Sequence, residues 1–586
     1  MSQHLNVMRE NCLMQIVFVQ MIRPYLIACH AGSMALKHLN YDKSFRKIKR
    51  MRGVIPQVAE DGKESHTWEN YFANRPKSAD FIAADVVPVD AFGEHTDFRA
   101  FFEGFRLMEY ERLNVETNLD EPGLNYRWMA EIVEIAGYRI KLKLLCTEPQ
   151  SPVELWVNWG SMDLLPVGYT QKVEGARRYA FSPPIGSALR GKDRDLWEEK
   201  ILSVILNQRS IPLNINDIRI KTLTNAKFKI GDRLEVLNTE NSLEVRPAIV
   251  KYICGRQMFL NLSMMDCRPN EKKDDQWRKG IYVNENSPLI FPVGWAVEAG
   301  YRIDANDCYI QHCQKIVDAK KNGLRIPYQV TDTRPSQFHS CADSFKPTGT
   351  WMVGDCVEVL DPLDSKFQSL RAAHVKKVLH DGYLVITFEN AAHEFYPVHG
   401  TSTGLYKPGY AAKYGLLLEA PKPISGDKFD WNTHIDRRKK NRQSRLRIPD
   451  SGLFRSIPKN IDLFVPGAKL EAADQVETRI VCPASVREVR GRTVIVTFDG
   501  WSRDFDQFFD CESPQMMPVG WAEMNGYFMH APCNPGSPGS SPNVHDVPAE
   551  SPSRSTPRKR TYVDLPGSDC ETLSQSTTPI KMAKEN

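Results

Sequence analysis

The sequence predicts a mainly β protein that contains four tandem copies of one small barrel module. Three landmarks recur in the same order: a glycine that opens a short alternating segment, an alanine that begins a β-branched strand, and a closing Pro-Gly-aromatic sequence. Self-similarity at a regular spacing is the mark of a repeat architecture. The landmarks lie at Gly104, Gly231, Gly354 and Gly467, at Ala130, Ala248, Ala373 and Ala484, and at Pro166, Pro292, Pro408 and Pro518.

Each landmark alanine begins the first strand of a predicted β-hairpin. A second alternating strand follows after a short turn that contains glycine, and alternation on both sides of a tight turn is typical of a hairpin. The sequence therefore predicts the same two-stranded centre in every module. The second strands begin at Arg139, Met258, Tyr383 and Thr493, and the turns lie at Gly137, Gly255, Gly382 and Gly491.

Connecting segments, which we call arms, separate the predicted barrels. Apolar residues recur at helical spacing in 195–208 and 308–319, and aromatic clusters at 68–72 and 429–431 precede the first and fourth modules. A small barrel buries little apolar surface alone, so we expect the arms to pack against neighbouring barrels. The expected division is an N-terminal segment 1–64, repeats at 65–175, 190–302, 308–420 and 428–532, and a tail 533–586.

Composition indicates an intracellular, multidomain globular protein. A chain of 586 residues is too long for one core, and 41% hydrophobic and 25% charged residues are ordinary values. The net charge of +4 creates no strong overall field toward nucleic acid. The 13 cysteines include no CxxC pair, which favours reduced thiols over a zinc site. Enzyme signatures for phosphate binding, hydrolysis or metalloprotease activity are absent, so we expect no catalysis, metal or cofactor.

Both ends of the chain differ from the modules. The apolar stretch 13–28 is interrupted by Gln15, Gln20, Arg23 and Pro24, which favours a buried or disordered segment over a secretory signal. Basic runs at 43–52 and 436–447 are expected to be solvated, with nuclear import or a nucleic-acid contact as the alternative. The Pro- and Ser-rich tail 533–586 is expected to be disordered.

The opening at Gly467, the Phe-Asp-Gly-Trp turn at 498–501 and the Pro-Val-Gly-Trp closure at 518–521 resemble the malignant brain tumour (MBT) repeat. Four copies, which match the repeat pattern to different degrees, cover about 65–532. The architecture is similar to that of four-repeat chromatin proteins without a SAM domain, including those of nematodes. The resemblance implies small Tudor-like β-barrels, each with a helical or extended arm. It also implies that one repeat holds methylated lysine in an aromatic cage completed by an acidic residue.

Carried onto this sequence, the resemblance assigns the cage to the fourth repeat. The acidic residue is Asp474, and the aromatic residues are Phe498, Trp501 and Phe505. The family more often has tyrosine at the third aromatic position, but phenylalanine keeps the π-face that attracts a cation. These are the predicted methyl-lysine-binding residues.

The other copies depart from this pattern, so we expect one working cage. Their residues at the acidic position are Glu111, Asn238 and Asp361, and their second strands end in Leu144-Leu145, Leu262 and Phe388. The third repeat also keeps Phe395 but has Ala391 in place of the tryptophan.

The leading hypothesis is a nuclear, chromatin-associated reader of methylated lysine on histone H3 or H4 tails that acts in transcriptional repression, with other repressive chromatin proteins as partners. One alternative is a nucleic-acid-binding protein that uses the basic runs. Another is a protein–protein scaffold of a chromatin complex whose cage is vestigial. Affinity that falls steeply with salt and survives Trp501→Ala would favour nucleic acid. Partner complexes indifferent to Asp474→Ala would favour the scaffold.

Overall fold

The computed structural model of the chain describes residues 65–75, 84–92, 107–112, 124–145, 153–161, 164–167, 178–181, 209–211, 215, 218, 227–239, 241–262, 266, 280–338, 345–421, 429–440 and 445–532. The predictions for the apolar stretch 13–28, the basic run 43–52, the helix at 195–208 and the tail 533–586 lie outside these residues. Within the described ranges, no helix has the length and apolar character needed to cross a membrane.

The first module is a six-stranded curled sheet in the order β4-β3-β2-β1-β5, with β6 against β2. All neighbouring strands are antiparallel except β6, which runs parallel to β2. The strands are β1 (Leu107–Arg112), β2 (Leu124–Ala136), β3 (Arg139–Leu144), β4 (Glu154–Asn158), β5 (Leu164–Leu165) and β6 (Arg178–Phe181).

The next two modules repeat this topology strand for strand, and the fourth has the same five-stranded path. In the second module the strands are β7 (Arg233–Leu237), β8 (Glu244–Cys254), β9 (Gln257–Leu262), β10 (Ile281–Asn284), β11 (Ile290–Phe291) and β12 (Arg302–Ile303). In the third they are β13 (Cys356–Val359), β14 (Leu370–Val378), β15 (Tyr383–Phe388), β16 (Ala391–His399), β17 (Leu405–Tyr406) and β18 (Leu418–Glu419). In the fourth they are β19 (Lys469–Ala473), β20 (Val481–Arg490), β21 (Thr493–Phe498), β22 (Gln507–Asp510) and β23 (Met516–Met517).

The predicted hairpins form the centre of every sheet, and the mainly β four-repeat fold is confirmed. Their turn glycines have positive φ, the left-handed region that glycine adopts without steric cost. Each long strand carries one register shift in the same place, between Ile132/Glu134, Val250/Tyr252, Val375/Lys377 and Val486/Glu488. An irregularity of this kind bends a strand and increases its twist, so each sheet curls toward a half-barrel.

A short helix follows the closing landmark in repeats 2, 3 and 4: Trp295–Ala299, Tyr410–Tyr414 and Trp521–Asn525. A buried glutamate of the first strand accepts hydrogen bonds from the backbone at each helix start. In repeat 4, Glu471 accepts from the N–H groups of Gly520 (2.6 Å) and Ala522 (2.7 Å). Glu235 and Glu358 do the same in repeats 2 and 3. Because the same contact occurs in all three repeats and anchors the helix to the barrel, the closing Pro-Gly-aromatic landmark has a structural role.

The arms contain the α-helices Glu69–Asn74, Asp307–Lys321, Pro335–Phe338 and Trp431–Lys440. The helix expected at 308–319 is thereby confirmed. Asn306 caps it, since its side chain accepts from the N–H of Tyr309 at 2.9 Å. Single 3₁₀ turns lie at Val89–Ala91, His380–Gly382, Ser451–Leu453, Lys459–Leu463 and Arg503–Phe505.

The arms pack against neighbouring barrels by one recurring contact. In repeats 2 and 3, an aromatic side chain of the arm that follows the barrel reaches the buried glutamate of that barrel: Tyr309 contacts Glu235 at 3.4 Å, and the indole of Trp431 donates to Glu358 at 2.8 Å. The arm before repeat 1 serves the fourth barrel in this way. Its Trp68 donates to Glu471 at 2.8 Å, so the first arm joins the last barrel.

Candidate functional site

The predicted cage residues lie at one edge of the fourth sheet. Asp474 directly follows β19, and Phe498 ends β21. Both strands pair with β20, so their ends are held on either side of the same strand. Trp501 follows in the tight turn after Phe498, and Phe505 ends the 3₁₀ turn Arg503–Phe505.

The two loop aromatics form a pair of rings. The ring centroids of Trp501 and Phe505 are 5.0 Å apart with an interplanar angle of 67°. Both side chains are half-buried, and Trp501 packs against the barrel core that contains Phe498. The turn is closed by the N–H of Trp501 donating to the carbonyl of Phe498 at 3.1 Å. The turn therefore places two partly exposed rings beside a buried one.

Hydrogen bonds fix the orientation of the Asp474 carboxylate. Its Oδ1 accepts from the N–H of Val476 at 2.9 Å and from the side-chain amide of Gln507 at 2.8 Å. Gln507 is fully buried, and its own Oε1 accepts from the N–H of Gln475 at 3.0 Å. Ordering the carboxylate before a ligand arrives lowers the entropic cost of binding.

Repeat 3 supports the loop that carries Phe505, a contact that sequence reasoning missed. The side-chain amide of Gln368 donates to the carbonyls of Asp504 (2.6 Å) and Asp506 (3.0 Å), which flank Phe505. The carbonyl of Phe367 accepts from the N–H of Phe508 at 2.7 Å. No repeat landmark marks Gln368, because its role depends on how two barrels meet.

The equivalent site of repeat 3 contains one of its own cations. The guanidinium carbon of Arg371 lies 3.6 Å from the ring centroid of Phe388, and its NH1 lies 2.7 Å from Asp361 and 2.9 Å from Glu394. Ala391 pairs with Phe388 in the sheet register. In this repeat the acidic and aromatic positions therefore face each other across a space the width of a guanidinium.

The first two repeats differ from repeat 4 at the acidic position. In repeat 2, Asn238 donates its side-chain amide to Glu244 at 3.2 Å. In repeat 1 the pairing register aligns Glu109 with Glu471, which places Arg112 at the position of Asp474. The sequence-based choice of Glu111 for this position is therefore off by one residue. Among the residues that the structure describes, no group of three or more His, Cys, Asp or Glu side chains is arranged to hold a metal ion.

The fold and this repeated site define a protein of four MBT repeats. The family model described as the mbt repeat matches residues 119–184, 232–310, 356–425 and 468–535, and the chain belongs to this family. Protein lin-61 of Caenorhabditis elegans is 29% identical over 522 residues, which cover 86% of this chain and 81% of that protein. Malignant brain tumor repeat protein 1 of the same organism is 26% identical over 525 residues, covering 83% of this chain and 90% of that protein.

A solved structure supports the same architecture. The crystal structure of the four MBT repeats of Drosophila melanogaster Sfmbt in complex with the peptide RHR (me)K VLR matches with a TM-score of 0.62. The match covers 80% of this chain and 99% of that chain at 23% identity. At this identity the likeness shows the fold.

Proposed function

We propose that repeat 4 binds the methylated lysine side chain of a histone tail, of H3 or H4, between Asp474, Phe498, Trp501 and Phe505. The observation that carries this proposal is the arrangement of these residues on one sheet edge. The same edge in repeat 3 holds the guanidinium of Arg371 against an aromatic face and a carboxylate, which is the kind of contact a methylated ammonium needs.

The chemistry of the site suits an organic cation. A methylated ammonium is a diffuse charge with apolar surface, and each well-placed ring contributes roughly 0.5–2 kcal/mol to its binding. Three rings and one carboxylate, less the cost of ordering a peptide, give a dissociation constant on the order of 1 mM to tens of micromolar. Weak binding of this kind gains from additional contacts made by the same complex.

Asp474 gives the site a preference for lower methylation states. Mono- and dimethyl-lysine keep an N–H that can donate a charge-assisted hydrogen bond to the carboxylate, and trimethyl-lysine does not. The carboxylate is already ordered by Val476 and Gln507. We therefore expect tighter binding of the mono- and dimethylated forms.

The relatives support a role in chromatin. One of them is the Polycomb protein Sfmbt of Drosophila melanogaster, and Sfmbt repeats have been crystallised with a methylated-lysine peptide. This likeness supports the proposal that the protein acts in the nucleus as a non-catalytic reader that contributes to transcriptional repression.

Titration of histone-tail peptides carrying zero to three methyl groups on the lysine tests the proposal. The wild-type chain should bind in a methyl-dependent manner, Trp501→Ala should abolish that dependence, and Trp501→Phe should retain part of it because a π-face remains. Asp474→Asn should weaken mono- and dimethyl binding about tenfold and weaken trimethyl binding less, because trimethyl-lysine loses only the charge attraction and no hydrogen bond. Methyl-independent binding by the wild type, or binding unaffected by Trp501→Ala, would overturn the proposal.

A further inference from the structure

One position in the sheet carries a different residue in each repeat. It is the residue two before the landmark alanine, and it pairs with the residue after the first-strand glutamate. The sheet register makes these residues equivalent, because each landmark alanine also pairs with the residue that ends the second strand. We call this place the filling position. It holds Trp128, Arg246, Arg371 and Cys482 in repeats 1 to 4.

Repeat 3 shows what a long side chain does from this position. Arg371 is 9% exposed and extends between Phe388 and Asp361, the equivalents of Phe498 and Asp474. Its guanidinium stacks on the ring and pairs with the carboxylate, which are the two contacts proposed for methylated lysine in repeat 4. Arg371 therefore occupies its own cage as an internal ligand.

Large side chains fill the same position in the first two repeats. Arg246 of repeat 2 lies 3.2 Å from Glu244 and 3.0 Å from Asp304. Trp128 of repeat 1 is fully buried, and its indole N–H donates to the carbonyl of Leu145 at 2.7 Å. In each case a bulky side chain takes the space beside the strand end.

Repeat 4 has the small residue Cys482 at this position. Its side chain is 5% exposed and belongs to the core cluster that contains Phe498 and contacts Trp501. A thiol ends at Sγ, several bonds short of the point that the Arg371 guanidinium reaches. Cys482 therefore does not extend between the aromatic and acidic positions as Arg371 does in repeat 3.

We propose that the filling position determines which repeat can bind a cation, and that Cys482 keeps the cage of repeat 4 open. This inference rests on the proposed function and identifies a specificity-determining residue for it. An arginine at 482 would be tethered within reach of Phe498 and Asp474. A tethered cation competes at an effective concentration of about a millimolar or more, which exceeds the free peptide in most assays.

The test compares Cys482→Arg with Cys482→Ala in the full chain, using a dimethyl-lysine histone peptide as the probe. Cys482→Ala should bind within about threefold of wild type, and Cys482→Arg should lose at least tenfold while its circular dichroism spectrum is retained. If Cys482→Arg does not fold, Cys482→Leu takes its place as an uncharged filler and should also lose affinity. Wild-type affinity in the folded large-residue variant would overturn the inference, whereas absence of methyl-dependent binding in the wild type would overturn the proposed function instead.

A second measurement tests the internal ligand without any peptide. Arg371→Ala should lower the melting temperature, and millimolar methylguanidinium should raise the melting temperature of the variant more than that of the wild type. Lack of this difference would contradict the assignment of Arg371 as an occupant of the repeat 3 cage. The difference would support it whether or not repeat 4 reads histones.

Discussion

Trp68 donates its indole N–H to the carboxylate of Glu471 over a sequence separation of 403 residues. Glu471 is fully buried, and burial raises its pKa to about 7 against the opposing effect of the hydrogen bonds from Ala522, Trp68 and Gly520. A carboxyl group buried in this way would lower the stability of the fold if its hydrogen-bond donors were removed. The contact therefore stabilises the first arm and the fourth barrel together.

Replacement of Trp68 by phenylalanine should destabilise the folded chain. The ring packing is largely kept, but a buried acceptor loses a donor, at a cost of about 1–3 kcal/mol. Urea denaturation would measure this, with Trp501→Phe as the control because Trp501 is half-buried and the donors to Glu471 are Trp68, Gly520 and Ala522. Equal stability of the two variants would show that the indole hydrogen bond contributes nothing to closure.

The buried Glu389 should give the protein an acid-sensitive contact between the fourth arm and the third barrel. His374 and His434 both hydrogen-bond to this carboxylate, and although burial opposes the shift, they lower its pKa to about 2. Because the folded pKa lies below the unfolded value, the contribution to stability is present above about pH 4.5 and is lost as the pH falls toward 2.

Glu389→Gln should therefore lower the free energy of unfolding by up to about 3 kcal/mol at pH 7, and the difference from wild type should shrink below pH 4.5. Denaturant titrations at pH 7, 4.5 and 3 measure the effect. Glu488→Gln is a suitable control, since Glu488 forms a surface pair with Arg490. A difference that is the same at every pH would mean that protonation of Glu389 is not its cause.

Gly137 allows repeat 1 to approach repeat 4. It has φ +61°, and a Cβ at this residue would lie 2.6 Å from the carbonyl oxygen of Val519. Gly323 has nearly the same φ of +62°, with nothing within 4 Å of its Cβ position. Both alanine variants bear the strain of a left-handed residue, about 1–2 kcal/mol. Gly137→Ala should therefore lower the free energy of unfolding by about 1–3 kcal/mol more than Gly323→Ala does, because only the first variant adds a clash. Equal melting temperatures of the two variants would refute the close contact.

Gln368 should affect ligand binding at repeat 4 from its place in repeat 3. Gln368→Ala removes both donors to the loop around Phe505, so more loop entropy is lost on binding, and we expect affinity to fall about two- to tenfold with little change in melting temperature. Gln368→Glu, which has no N–H to donate, should behave similarly. The exposed Lys366→Ala is the matched control. Unchanged peptide affinity in both Gln368 variants would remove this residue from the site.

The hairpins and their turn glycines could be predicted from the sequence because alternation and glycine placement are local signals. The arm contacts and the support from Gln368 could not, since they depend on how distant segments meet. The confusion of Glu111 with Arg112 has another cause. A strand has a period of two residues, so a one-residue slip exchanges its faces, and only the pairing partners fix the register.

The residue types of the proposed site could be predicted from the sequence, but the side chains that surround it could not. Asp474, Phe498, Trp501 and Phe505 can be chosen from motif positions alone. Whether these four residues can bind a ligand depends also on which neighbouring side chains extend between them. Arg371 and Cys482 lie in equivalent places, yet no landmark includes them, and their importance emerges only when strand partners are known.

Most tandem arrays are open stacks whose end units lack a neighbour and need special caps. Here the N–H of His66 donates to the carbonyl of Met529, and Trp68 reaches Glu471, so the end units cap each other. In such an array no terminal module lacks a stabilising neighbour, so unfolding has no preferred end from which to start. We expect the modules to unfold in a single cooperative transition, and removal of the first arm to loosen the last barrel as much as the first.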